Sequence, residues 1–149
     1  MVTGGAGFLG RHFCLGLSQV GATVVVSDID YAVVKNVCQK LAEKTKNLLF
    51  PAEVDLADEQ SVKKWAGLIR ADFGGADVLL NNAAAHLDGF FDPLEEFKIE
   101  VWNRVMAVNV TGIFLTVREL GPSMISKGGG SIINVSSIIW NSRAGSTDL

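Results

Sequence analysis

The chain has 149 residues, 48% of them hydrophobic, which suits about one globular domain and excludes a disordered or fibrous protein. Thirteen Lys and Arg against sixteen Asp and Glu give a net charge of −3 with no basic tract, so nucleic acid is not an expected partner. Cys14 and Cys38 lie far apart without zinc-type spacing, and the uncharged run from Val105 to Val117 covers only 13 residues. Neither a metal site nor a membrane span is therefore expected. Met1 leads into Val2-Thr3-Gly4-Gly5 with no secretory signal, so the expected location is the cytoplasm.

The first strand is Met1-Val2 and little more, shorter than the roughly five or six residues usual for a buried strand, and its beginning is expected to lie outside the chain. After the glycines comes a helix with Phe13, Leu17 and Val20 on its apolar side. Thr23-Val24-Val25-Val26-Ser27 is a β-branched run suited to a strand buried on both faces. Ala32 to Thr45 reads as a helix with Val33, Val34, Val37 and Leu41 inward. Leu48-Leu49-Phe50 is a short third strand. The next helix has the clearest period: Asp58 caps it, Val62, Trp65, Ala66, Ile69 and Phe73 line one side, and Gly74-Gly75 stops it. Asp77 to Leu80 is a fourth strand. Glu95 to Ser126 is mostly helical, with a break near Asn109. Gly128-Gly129-Gly130 ends that stretch, and Ser131 to Ser136 is a fifth strand. This alternation predicts an α/β fold, a doubly wound parallel sheet of Rossmann type with strand order 3-2-1-4-5 and helices on both faces. No repeat or composition break divides the chain, so residues 1–149 are expected to form one dinucleotide-binding domain.

The segment Thr3-Gly4-Gly5-Ala6-Gly7-Phe8-Leu9-Gly10 contains G-x-G-x-x-G between strand and helix. Such a turn needs glycine because it is tight and because backbone must approach a pyrophosphate closely, with amides and helix dipole facing the phosphates. Asp28 follows the second strand, 18 residues after Gly10, where a carboxylate can accept hydrogen bonds from ribose hydroxyls and repel a 2′-phosphate. NAD is therefore expected in preference to NADP. Asp30 competes with Asp28 for this role and can alternatively cap the next helix.

With these motifs in order, the chain resembles the short-chain dehydrogenase/reductase family along nearly its whole length. Thr3 to Gly10 looks like the family's cofactor turn, with Thr3, Gly4, Gly7, Phe8, Leu9 and Gly10 at its binding positions. Asp55-Leu56 resembles the pair whose carboxylate meets the adenine amino group. Asn81-Asn82-Ala83-Ala84 resembles the Asn-Asn-Ala-Gly motif, with Asn82 and Ala83 lining the cofactor. Val108-Asn109-Val110-Thr111-Gly112 resembles the helix carrying the catalytic asparagine, here Asn109, and Ser131 to Ser137 resembles strand five, ending in the catalytic serine, here Ser137. Each residue also has a purely structural reading: Asp55 as a turn cap, Asn82 as a brace for loop backbone, Asn109 at a helix irregularity, Ser137 at a strand end. His12 and His86 match no catalytic position. Trp65 reads as core, Trp102 and Trp140 as core or interface.

Phe8 and Ala84 depart from the commonest pattern, which has glycine at both; Phe8 looks more like the extended branch of epimerases and dehydratases, and Ala84 is expected to crowd the strand end slightly. The family's Tyr-x-x-x-Lys motif does not follow Ser137 within the 12 residues to Leu149, and the chain's only tyrosine is Tyr31. The resemblance thus implies an oxidoreductase acting on a small alcohol or ketone, with this chain a fragment that carries the cofactor platform, is inactive alone and belongs to a homo-oligomeric parent. The alternatives are a non-catalytic nucleotide-binding or interaction module, or a fragment of an extended-type nucleotide-sugar epimerase or dehydratase.

Overall fold

The computed structural model describes residues 1–45, 47–90 and 92–136. Five parallel strands, β1 (Val2–Thr3), β2 (Val24–Asp28), β3 (Leu49–Glu53), β4 (Val78–Asn81) and β5 (Ser131–Asn134), form one sheet in the order β3-β2-β1-β4-β5. The expected strand order is the observed one. Helices α1 (Phe8–Gln19) and α2 (Tyr31–Ala42) connect the first three strands; α3 (Glu59–Phe73) returns the chain to β4 on the other side of β1. A short 3-10 turn (Leu94–Glu96) precedes α4 (Ile99–Met106), a π turn (Ala107–Thr111) and α5 (Gly112–Ser126), which lead to β5.

Two apolar clusters fill the two faces of the sheet. One joins Cys14 of α1 and Val34, Val37, Cys38 and Leu41 of α2 to Val2, Val24, Val26 and Leu80. The other joins Val62, Trp65, Ala66 and Ile69 of α3 and Leu115, Leu120 and Met124 of α5 to Val54 and Leu79. Adjacent residues Leu79 and Leu80 serve opposite clusters, as the two-residue period of a strand requires. The buried Trp65 ring also donates its Nε1–H to Ser27 Oγ at 2.9 Å, which ties α3 to β2.

Several expected faces shift. Val20 is 81% exposed because it caps α1 rather than belonging to it, and Cys14 takes the buried centre of that helix. Val33 is exposed in the first turn of α2, Cys38 is buried in its place, and the helix ends at Ala42. Leu48 is exposed outside β3, which instead runs on to Glu53 and carries Pro51. Proline is tolerated there because β3 is an edge strand and one side of its ladder needs no donor. The caps hold as expected: Asp30 accepts from Val33 N–H, Asp58 from Gln60 N–H, and Gly74 closes α3 at φ 68°. The helical break near Asn109 is a π turn, with helix on both sides. Among the described residues no helix is long and apolar enough to cross a membrane.

Candidate functional site

The site is built at the carboxyl ends of β1, β2 and β4, where a parallel sheet reverses its winding and leaves a crevice. Gly4 follows β1 at φ 61°, a conformation that favours glycine, and a Cβ there would meet the backbone of Ala83. Gly10, one turn into α1, packs so closely on the turn that a Cβ would overlap the Gly4 carbonyl. Gly10 thus seats α1 on its own turn. No side chain caps α1, whose N-cap is Gly7, so amides of its first turn remain free to meet an anion.

Polar groups lock this turn to its neighbours. Gly5 N–H donates to Ser27 O at 2.9 Å and Gly7 N–H to Gly4 O at 3.1 Å. Thr3 Oγ1 accepts from the amides of Asn82 and Ala83, while Asn82 Nδ2 donates to the carbonyls of Thr3 and Gly4, each at 3.1 Å. Asn82 is therefore a brace between the end of β4 and the glycine turn, whatever else it contacts. Asp28 Oδ2 accepts from Ala6 N–H at 3.1 Å and Oδ1 from Ile29 N–H at 2.9 Å, so its carboxylate has a fixed orientation. Asp30 is occupied as the cap of α2, which separates the two candidates for a ribose contact.

Two adjoining hollows share Gly4, Asp28, Ala83 and Ala84. The one of about 360 Å³ is lined by Gly7, Phe8, Leu9, Gly10 and Asn82; the one of about 230 Å³ by Thr3, Val54, Asp55, Leu56, His86, Arg104 and Val108. Together they have the size of a small-molecule site. Ala84 is exposed along this groove and does not crowd the strand end as expected. Asp55 accepts from Ala57 N–H at 2.9 Å and meets Arg104 Nη2 at 3.1 Å. Of the residues that the motifs mark, the eleven from Thr3 to Ala83 assigned to a cofactor all border this groove.

Asn109 sits in the π turn beside it, and its Oδ1 accepts from Ala85 N–H at 2.8 Å. The widened turn lets one side chain leave the helix barrel and hold the loop that follows β4. Ser137, Trp140 and the residues after them lie outside the described residues. Two features escape the motifs. Arg104 lacks a sequence signal beyond its place on the same helical stretch as Asn109. The chain from Thr116 Oγ1 to Asn81 Oδ1, then from Asn81 Nδ2 to Asn134 Oδ1, both at 2.9 Å, runs from the buried interior to the exposed strand and fastens α5 to β4 and β5. Burial raises the thiols of Cys14 and Cys38 to about 12 and about 11, which keeps them neutral and inert.

A profile of the family described as short chain dehydrogenase matches residues 1–146. A 2,5-dichloro-2,5-cyclohexadiene-1,4-diol dehydrogenase of Sphingobium indicum is 37% identical over 143 residues, which are 93% of this chain and 54% of that protein. A metagenomic short-chain oxidoreductase in complex with NADP superposes with a TM-score of 0.85 at 30% identity, covering 93% of this chain and 61% of the other. An NAD⁺-bound xylitol dehydrogenase does so with a TM-score of 0.83 at 28% identity, covering 91% and 51%. The chain spans from 23% to 54% of the length of the first curated relatives it matches.

Proposed function

This chain belongs to the short-chain dehydrogenase family, and from that premise we propose that the protein transfers a hydride between NAD(H) and an alcohol or ketone. In this reading residues 1–149 form one dinucleotide-binding domain and supply the cofactor platform. The observation that carries it is the convergence of an uncapped helix N-terminus, a glycine turn without room for side chains and an oriented Asp28 on one groove. The pyrophosphate lies along Gly4, Gly7, Phe8, Leu9 and Gly10, with Thr3 and Asn82 holding that turn in place. Asp28 receives the ribose hydroxyls, Asp55 and Leu56 flank the adenine, and Ala83 borders the cofactor.

The groove suits such a ligand because added Cβ atoms at Gly4 or Gly10 would displace the backbone that forms it. NAD is favoured over NADP: a 2′-phosphate would face the Asp28 carboxylate, a repulsion at any dielectric. When bound, the nicotinamide donates or accepts the hydride. Asn109 orders the helix and a water that relays protons, Ser137 holds the carbonyl oxygen, and a tyrosine of a Tyr-x-x-x-Lys motif moves the proton.

We also assign the protein to the cytoplasm and to a homo-oligomer. Ile99, Trp102, Met106, Val110 and Phe114 recur every three or four residues along α4, the π turn and α5, and all are exposed. A stripe of that kind is suited to pairing with a second copy. The test is the reading frame beyond Leu149 together with an assay of NADH formation across secondary alcohols. Continuation into Tyr-x-x-x-Lys and turnover of at least one alcohol are expected; a stop codon there, or a continuation without that motif, defeats the reading.

A further inference from the structure

Arg104 stands in the last turn of α4, 49 positions from Asp55 in sequence, yet both line the smaller hollow. Its Nη2 lies 3.1 Å from Oδ1 and 3.1 Å from Oδ2 of Asp55. The aspartate is held elsewhere too: its backbone N–H donates to Ser61 Oγ at 3.0 Å, and Oδ1 accepts from Ala57 N–H. Oδ1 thus has two donors, whereas Oδ2 has Arg104 alone among the described residues. A carboxylate oxygen accepts two hydrogen bonds, so Oδ2 keeps one lone pair, on a residue that lines the hollow.

We propose that Arg104 is a positioning residue for the adenine base, fixing the Asp55 carboxylate so that Oδ2 receives the exocyclic amine and the site selects an aminopurine over an oxopurine. The proposal rests on the reading of the groove as a dinucleotide site with its adenine end at Asp55. Two physical effects support it. The terminal torsion of an aspartate is broad, and a carboxylate held by the Ala57 amide alone can swing. Fixed by the guanidinium, its free lone pair meets the amine of adenine but would face the carbonyl lone pairs of hypoxanthine, and such mismatched polar contacts discriminate strongly. Arg104 is also the only Lys or Arg among the described residues lining this hollow, which holds the carboxylates of Asp28 and Asp55.

The test compares NAD with nicotinamide hypoxanthine dinucleotide, by calorimetric titration of the protein and of Arg104→Met, Arg104→Lys, Asp55→Ala and the Arg104→Met/Asp55→Ala pair. Arg104 is half-exposed, so its single variants are expected to melt close to the parent, and the two that carry Asp55→Ala a few degrees lower, because Ala57 N–H loses its acceptor. Arg104→Met is expected to weaken NAD about tenfold and the hypoxanthine analogue less than about threefold, because only the amine loses an oriented acceptor. Arg104→Lys, which keeps the charge, recovers part of the preference for adenine. The double variant binds NAD no more weakly than Asp55→Ala, since Arg104 acts through that carboxylate. An unchanged preference in Arg104→Met beside its loss in Asp55→Ala overturns the role of Arg104, as does full additivity in the double variant. If Asp55→Ala itself leaves the preference intact, the placement of adenine is wrong and the proposal falls with it.

Discussion

The two halves of the sheet treat their side chains differently. Around β1 and β2, polar groups are paired within the fold and the apolar residues are covered: Val2, Thr3, Val26 and Ser27 are fully buried, and Asp28 and Thr3 are anchored by backbone amides. At the other end β5 is paired to β4, yet all four of its residues are exposed, and Ile132, Ile133 and the following Val135 are each 37% exposed or more. The strands β1 and β2 are covered by the fold's own residues, whereas β5 presents apolar surface.

The largest expected effect comes from breaking the glycine turn. Gly10→Val drives a side chain into the Gly4 carbonyl and is expected to weaken nucleotide binding by about a hundredfold or more and to lower the melting temperature by several degrees. Gly16→Ala, on the same helix with nothing within 4 Å of the new methyl, is its control and is expected to stabilise by about 0.5–1 kcal/mol. Equal melting temperatures for the two variants would remove the claim that the turn is built without room for side chains.

Asp28→Ala comes next. The carboxylate accepts from Ala6 N–H and, in the proposed function, receives the ribose hydroxyls, so its loss is expected to weaken NAD about tenfold while NADP improves little, because the turn loses an anchor in either case. Titration of both cofactors checks this. A large gain for NADP would show that Asp28 acts by repulsion alone.

At the β5 end, Ile133→Thr is expected to lower the binding of an environment-sensitive hydrophobic dye by about half, with little change in melting, since Ile133 is 46% exposed and lines an apolar hollow with Phe13, Leu17, Leu80 and Val135. Undiminished dye binding would place the sticky surface elsewhere.

The smallest effect concerns pH. Cys14 and Cys38 have thiols raised by burial from 9.0 to about 12 and about 11. In the unfolded chain they ionise first, so their contribution is intact below pH 9 and declines as pH rises from there towards 12. Melting curves across that range should fall less steeply for Cys14→Ala than for the parent.

What could be read from the sequence follows the same division. The glycine turn, the caps at Asp30 and Asp58 and the α3 face are local patterns, fixed by backbone geometry within a few residues, and the strand order follows from the strand-helix alternation with the glycine turn placed between the first strand and its helix. Errors fell where tertiary position decides: Val20 and Val33 are apolar residues at helix ends that nothing covers. Pro51 hid the length of β3 because proline is allowed only on an edge, and edge status is not a local property. The contacts of Asp55 with Arg104 and of Asn109 with Ala85 span 49 and 24 positions, and no spacing rule predicts them.

The central claim, that the groove at the ends of β1, β2 and β4 is an NAD site, is tested most directly by titrating the protein with NAD and NADP under identical conditions, with Gly10→Val as the blocked control. Saturable binding of NAD, at least about tenfold tighter than NADP and lost in Gly10→Val, is the predicted result. Absence of NAD binding, or binding that survives in Gly10→Val, would contradict it.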